Sequence, residues 1–303
     1  TKAAEAGQDC AQYALGKIYR DGQGVEKDIQ KAVALFTLAA TKENSFAAFA
    51  LGKLYLAGDA ALPRDPAAAL KWLTYAAELG NQFAQYRLGK LLLKGDDGIP
   101  KDVITAIRWL TAAAKQENGY AEYALALVYL TGEDAPKDSV KALSLLKRSA
   151  GRGNQFAQYR LGKLLLQGED APKDVKAAIR WLTAAAEQGN QYAQYALGKL
   201  YLLGKEVPKD RSSAIKWFQL AADQGNEYAQ YFLEHMDDRL GQPPVAAVIS
   251  LFHHLANIFQ EQNQPPPSGG VRVAVDRKLL RKIKAKKIAQ GHKADDHEPE
   301  MQL

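Results

Sequence analysis

One short string recurs along the chain at a nearly constant interval. Leu-Gly-Lys occurs five times, and its glycine position, which holds alanine in one degenerate copy, advances by 36 or 37 residues each time. The positions are Gly16, Gly52, Gly89, Ala126, Gly162 and Gly198. Such a period is typical of repeat proteins, in which each unit buries its apolar face against its neighbours. We therefore expect one continuous array of repeats.

Two further anchors keep the same phase. Asparagine stands eight residues before five of these positions and occurs once more at the end of the array, at Asn44, Asn81, Asn118, Asn154, Asn190 and Asn226. Pro-Lys-Asp begins at Pro100, Pro136, Pro172 and Pro208. Three anchors in one phase predict six units between roughly residues 8 and 225 and a half unit over 226–240.

Each unit reads as two helices, A and B. The asparagine is a suitable N-cap for helix A, and an aspartate such as Asp174 is one for helix B. Gly204 and Gly189 are suited to end the two helices. A glycine inside helix A costs about 1 kcal/mol relative to alanine, so its recurrence predicts that helix B crosses there too closely for a Cβ. Apolar spacing places Trp181 and Leu182 on the buried face of helix B.

The predicted fold class is all-α: an α/α superhelical solenoid of about six helix-turn-helix repeats over 1–240. A capping helix is predicted over 241–264, where the sequence VAAVISLFHHLANIFQEQ is amphipathic. A Pro/Gly linker and a basic tail fill 265–303.

The repeat signature carries a family resemblance over roughly residues 1–235. Asn-x-x-Ala-x-x-x-Leu-Gly-x-x-Tyr, followed by Gly, Pro-x-Asp, Ala-x-x-Trp and Ala-Ala-x-x-Gly-Asn, resembles the Sel-1-like repeat, a relative of the tetratricopeptide repeat. The resemblance implies a solenoid that acts as an adaptor for multiprotein complexes.

The C-terminal arrangement carries a second resemblance. Repeats followed by Leu-Phe-His-His-Leu and a basic end that closes with Gly-His-Lys-x-Asp-Asp-His look like the C-terminal region of mobilisation relaxases from Gram-positive conjugative elements. This implies an upstream nicking domain with a tyrosine nucleophile and a histidine-cluster metal site, none of whose residues can be assigned here. The opening TKAAEAGQDC, without Met, leads us to expect further sequence before Thr1. The alternative is a free-standing signalling or stress adaptor with no link to DNA.

A stripe on the A helices is the first candidate site. Counting from the asparagine, tyrosine recurs at position 5 and lysine at position 9, which places both on one side of the helix. We predict a concave groove for a protein or an extended peptide with acidic and apolar groups, lined by Tyr86, Tyr123, Tyr159, Tyr195, Tyr231, Lys53, Lys90, Lys163 and Lys199. The alternative is that these side chains pack one A helix against the next.

The basic tail is the second candidate. Residues 271–293 hold nine Lys or Arg and one acid, a charge of +8, so the remainder of the chain sums to −2. The densest part could bind DNA phosphates or an acidic protein through Arg277, Lys278, Arg281, Lys282, Lys284, Lys286 and Lys287. A partner-docking helix and a solvated tail are the alternatives.

Other chemistry finds no support in the sequence. Nucleotide-binding, zincin and nucleophile-elbow motifs are absent, so no enzyme, cofactor or metal is predicted. His253 and His254 are adjacent and face different sides of a helix, and His292 and His297 lie in the tail without an evident scaffold. Cys10 is the one cysteine and no run of 18 apolar residues occurs, so we expect a cytoplasmic protein with no disulfide and no membrane span.

Overall fold

The structure, a computed structural model, describes residues 4, 7–95 and 98–235. Within them the chain forms thirteen complete helices. These are α1 (Asp9–Asp21), α2 (Ile29–Ala40), α3 (Ser45–Ala57), α4 (Pro66–Glu78), α5 (Gln82–Lys94), α6 (Val103–Lys115), α7 (Gly119–Thr131), α8 (Ser139–Gly151), α9 (Gln155–Gln167), α10 (Val175–Glu187), α11 (Gln191–Leu203), α12 (Arg211–Asp223) and α13 (Glu227–His235). Among the described residues there is no strand, and an isolated β-bridge joins Asp59 to Leu62.

The helices pair as the repeat predicts. Odd-numbered helices are the A helices, even-numbered helices are the B helices, and units 1 to 6 are the pairs from α1–α2 to α11–α12. The A helix α13 follows as a half unit. The described helices therefore form an all-α solenoid, as predicted. The chain divides into two compact units, 1–237 and 238–303, and the described residues belong to the first.

Side-chain caps begin the helices where the sequence places them. Asn190 Oδ1 accepts a hydrogen bond from the backbone N–H of Ala193 at 3.0 Å. Asp174 Oδ1 accepts one from the N–H of Ala177 at 2.9 Å. The same arrangement starts every A helix from α3 onward and every B helix. Each cap satisfies an N–H group that has no partner inside the helix.

The recurrent glycine lies where the two helices of a unit cross. A Cβ built on Gly162 would lie 2.7 Å from Cγ of Leu182 and 3.0 Å from the carbonyl oxygen of Ala178. Both distances are shorter than ordinary carbon contacts. Gly52 and Gly198 approach Leu73 and Phe218 in the same way. The predicted close crossing is confirmed, and it explains why a poor helix former recurs there.

The core is continuous from unit to unit. Phe36, Leu51 and Leu88 come from units 1 to 3 and belong to one buried cluster. Leu93 packs against this cluster and the next, and Leu166 links the second cluster to the third. A hairpin that could not fold alone thus shares its apolar surface with its neighbours.

The tryptophans lie on the core side of the B helices, as the sequence predicts, but they are less deeply buried than the residue that follows each of them. Leu73, Leu110, Leu182 and Phe218 are fully buried, whereas the tryptophan before each of them is partly buried against the same core. Because Trp181 is only partly buried, Trp181→Ala is expected to cost less than the roughly 3–5 kcal/mol of a fully buried aromatic side chain. Leu182 holds the central position because it faces Gly162.

Ion pairs connect the loops of successive units. The lysine before the helix B cap pairs with an acid in the next unit, as Lys101 Nζ does with Asp134 Oδ1 at 2.6 Å. The other pairs are Lys27–Asp59, Lys137–Asp170 and Lys173–Glu206, each 2.8 Å apart. The lysine of Pro-Lys-Asp therefore links one unit to the next, which the sequence did not reveal. In the described part of the chain, no helix is both long enough and apolar enough to cross a membrane.

Candidate partner-binding face

The A helices present one repeated surface, which we call the A-helix face. It consists of the second, fifth, sixth and ninth residues after the residue that precedes each A helix. From α3 onward that preceding residue is the repeat asparagine. Positions 3, 7 and 8 point the other way into the core, as Ala157, Leu161 and Gly162 do in α9. The helical period of 3.6 residues separates these two sides.

The predicted tyrosines at position 5 contact the next A helix. The ring centroids of Tyr159 and Tyr192 lie 6.0 Å apart, and those of Tyr86 and Tyr120 lie 5.9 Å apart. Tyr123 contacts Phe156 at 6.2 Å, Tyr195 contacts Tyr228 at 6.1 Å, and the exposed Tyr231 lies edge-on to Phe232 on its own helix. Packing between A helices, the alternative left open by the sequence, therefore holds for the first four of these tyrosines. Their role in binding a partner stays a prediction.

Burial changes the acidity of these tyrosines. Loss of hydration raises the pKa of Tyr123, Tyr159 and Tyr195. Nearby tyrosine rings raise the pKa of Tyr195 further. All three hydroxyls therefore stay protonated near neutral pH and act as neutral hydrogen-bonding groups.

Position 2 carries an aromatic row that the sequence analysis missed. The four tyrosine contacts between A helices each end on an aromatic residue at position 2 of the next A helix. The row at position 2 comprises Phe46, Phe83, Tyr120, Phe156, Tyr192 and Tyr228. Phe46 and Tyr192 leave 48% and 53% of their surface exposed, so they are the more accessible rings of the face. The signal that could have found the row is an aromatic residue two positions after every asparagine.

The predicted lysines lie beside these rings. Lys53 Nζ is 6.0 Å from the ring centroid of Phe49, and Lys90 Nζ is 5.9 Å from that of Tyr86. Burial lowers the pKa of Lys163, and Arg160 lowers it further, although much of the Lys163 side chain stays exposed. Burial also lowers the pKa of Lys199, as do Lys163 and Lys205. Cations of neighbouring units thus repel one another across the face.

The face has a marked charge asymmetry. At the positions that define the face, helices α3, α5, α9 and α11 carry six Lys or Arg and no Asp or Glu. Helix α7, in the middle of the array, contains no Lys or Arg, and its one acid, Glu122, is fully buried. Such a surface favours anionic groups on a partner.

Several predicted features lie outside the described residues. These are the capping helix 241–264, the basic residues of the tail and all the histidines considered as metal ligands. Within the described residues, no group of three or more His, Cys, Asp or Glu side chains is placed to hold a metal ion.

Comparison with known proteins identifies the repeat. Six consecutive segments match the family model of the Sel1 repeat: 11–44, 45–81, 82–118, 119–154, 155–190 and 191–226. These ranges agree with the six units read from the sequence. No curated protein matches the chain.

Two solved structures share the fold. One is c5321, a protective antigen of uropathogenic Escherichia coli strains with an SLR fold, at 29% identity and a TM-score of 0.71. The alignment covers 91% of this chain and 60% of c5321. The other is a Sel1 repeat protein from Oxalobacter formigenes, at 34% identity, a TM-score of 0.71, and coverage of 78% of this chain and 67% of that one. The chain thus spans 60% of the length of c5321.

Proposed function

Because the chain belongs to the Sel1 repeat family, we propose that it is a protein-interaction scaffold that holds its partner on the A-helix face. Sel1 repeat proteins are generally non-catalytic and bind protein partners, which agrees with the scaffold predicted from the sequence. The proposal adds the surface that is used and the chemistry that it favours.

The observation that carries the proposal is the repeated combination of rings and cations. The A helix called α9 carries Phe156, Arg160 and Lys163 along one side. The neighbouring A helix, α11, carries Tyr192 and Lys199. Aromatic and basic side chains dominate binding energy in protein interfaces, because they combine apolar area with hydrogen bonding or charge. The favoured partner is an extended segment that contains acidic and apolar side chains.

The test is a charge reversal on the face with a matched reversal elsewhere. The full chain is tagged, purified from its native host with bound proteins, and compared with Lys163→Glu/Lys199→Glu by quantitative mass spectrometry. The control is Lys71→Glu/Lys176→Glu, which changes two exposed lysines on B helices by the same charge. Circular dichroism checks that both variants fold.

We expect Lys163→Glu/Lys199→Glu to lose specific partners and the control variant to retain them. If a partner stays bound to folded Lys163→Glu/Lys199→Glu but is lost from the control variant, the binding surface lies on the B helices and the proposal is wrong.

The finer proposal links the chain to conjugative DNA transfer. In this version it is the accessory C-terminal part of a mobilisation relaxase, whose basic tail binds DNA while the repeats hold a protein. The support is the charge of +8 over 271–293 and the resemblance of the C-terminal sequence. A cytoplasmic location and an acidic protein as the partner of the tail belong to the same set of proposals, and a free-standing adaptor is the alternative.

Salt dependence separates these versions. Duplex DNA should bind the full chain with an affinity that falls steeply between low and physiological salt, because neutralised phosphates release counterions. A deletion of 271–303 should remove this binding and leave the repeats folded. Equal DNA binding by both chains would contradict the role of the tail.

A further inference from the structure

Units 3 and 5 present the same cationic surface twice. Helices α5 and α9 share the sequence QFAQYRLGKLLL and differ in their last residue. Each therefore places an arginine at position 6 and a lysine at position 9, as Arg87 and Lys90 in α5 and as Arg160 and Lys163 in α9. Because the two helices carry the same pair of cations at the same positions, they favour the same chemical group on a partner.

Helix α7 separates these two surfaces and has the opposite character. Ala124 takes the position of the arginine, and Leu127 takes that of the lysine. Both are half-buried, so they present apolar surface next to Tyr123. The row of cations along the A-helix face is therefore interrupted in unit 4.

The distance between the two cationic surfaces follows from helix packing. Successive A helices touch through their rings, with centroids 5.9 Å apart from α5 to α7 and 6.2 Å apart from α7 to α9. Helices in contact have axes about 10 Å apart, so two steps cover about 20 Å. An extended chain advances about 3.3 Å per residue and crosses this distance in about six residues.

We propose that the A-helix face of units 3 to 5 binds an extended peptide segment with an acidic residue at each end, about six positions apart, and an apolar residue at its centre. The inference rests on the proposed scaffold function and specifies the partner. One carboxylate pairs with Arg87 and Lys90, and the other pairs with Arg160 and Lys163. The central apolar side chain contacts Leu127.

Electrostatics support this arrangement independently of shape. Lys163 lies one helical turn from Arg160 on the same side of α9, and partial burial together with that cation lowers the pKa of Lys163. A carboxylate between Arg160 and Lys163 relieves that repulsion.

The test uses the full chain and labelled synthetic peptides in fluorescence anisotropy. Peptides carry two glutamates about three, six or nine positions apart around a central leucine. A uniformly acidic peptide, in which glutamates replace the residues of the central segment, completes the set. We expect the six-residue spacing to bind about tenfold more tightly than either other spacing.

A single substitution tests the contact between Leu127 and the central apolar residue of the peptide. Leu127→Lys restores the lysine that the other units carry, so it should weaken the leucine-centred peptide about fivefold and strengthen the uniformly acidic peptide. Lys176→Ala, on the exposed side of α10, should change neither affinity.

The outcomes separate this inference from the scaffold proposal. Equal affinity at all spacings, absence of binding by every peptide, or no effect of Leu127→Lys would each overturn the two-site arrangement. The scaffold proposal is decided separately, by the loss or retention of native partners in Lys163→Glu/Lys199→Glu.

Discussion

Arg152 holds its Nε 3.3 Å from Oε2 of Glu122, a carboxylate with no exposed surface. Unit 5 has a neutral pair at the equivalent positions, where Gln188 Nε2 donates to Gln158 Oε1 at 2.7 Å. Unit 4 has thus exchanged a glutamine pair for an ion pair. Arg148 adds a second cation, with its Nη2 2.6 Å from Oε1 of Glu122.

Exchanging both partners in unit 4 should be far less harmful than exchanging one. Arg152→Gln leaves the buried carboxylate with a single cation and should lower the thermal midpoint by about 4 °C. The double variant Glu122→Gln/Arg152→Gln rebuilds the pair of the other units and should recover most of that loss. Thermal unfolding followed by circular dichroism measures both. If the loss of thermal midpoint in the double variant equals the sum of the losses in the two single variants, the two positions are not coupled.

Gly162→Ala should destabilise the chain although alanine is the better helix former. The new Cβ would meet Leu182 at 2.7 Å, so either the B helix or the leucine must move, at about 1–3 kcal/mol. Gly151→Ala is the matched control, because no atom lies within 4 Å of a Cβ there. It should raise the free energy of unfolding by up to about 1 kcal/mol. Urea unfolding of the two variants should give opposite signs; equal signs would contradict the close crossing.

Glu43→Gly should stabilise the chain. Glu43 has a φ of 63° in the loop before α3, where units 2, 4, 5 and 6 end with glycine at φ values of 84° to 88°. A side chain in this left-handed region costs about 1–2 kcal/mol, part of which glycine returns as flexibility of the unfolded chain. A net gain of about 0.5–1 kcal/mol in urea unfolding is expected. The reverse change, Gly189→Ala, should be destabilising. If it stabilises the chain, a side chain at positive φ is not costly at this position.

Binding of an acidic peptide should weaken as the solution becomes more alkaline. Burial lowers the pKa of Lys163 and Lys199 below the ordinary value of 10.5, so both lose their proton, and their attraction for a carboxylate, earlier than an exposed lysine does. In that window the unfolded chain binds more protons than the folded one, so stability of the free protein changes in the opposite direction and rises with pH. Anisotropy titrations between neutral pH and pH 10 should show a decrease of about threefold or more in affinity. Lys163→Arg/Lys199→Arg should flatten this profile, because arginine keeps its charge; an unchanged profile would exclude these lysines.

Local rules predicted the repeat unit well. Asn190 and Asp174 cap their helices because capping depends on a side chain and an N–H three residues away. Gly162 indicated a close crossing because its helical cost needed a structural reason. Such features are encoded within a single unit, and the interval of 36 or 37 residues repeats them.

Contacts between helices were harder to predict. The periodicity places Trp181 and Leu182 on the same side of α10, but the crossing angle decides that Leu182 meets Gly162 and is fully buried. The same holds for Tyr159, whose position predicts an exposed side while its ring reaches Tyr192 of the next unit. The geometry between neighbouring helices fixes both contacts, within a unit for Leu182 and between units for Tyr159, and the pattern along one helix does not contain it.

Site-specific photocrosslinking can locate the partner on the A-helix face. A photoreactive phenylalanine analogue replaces Tyr192, an exposed ring of the face, or Ile104, which is 84% exposed at the start of the B helix α6. Each full-length variant is irradiated with a partner identified by affinity purification, and the product is mapped by mass spectrometry. We expect an abundant crosslink from position 192 and little from position 104, because the partner covers the A helices. A crosslink from position 104 with none from position 192 would contradict this location of the partner.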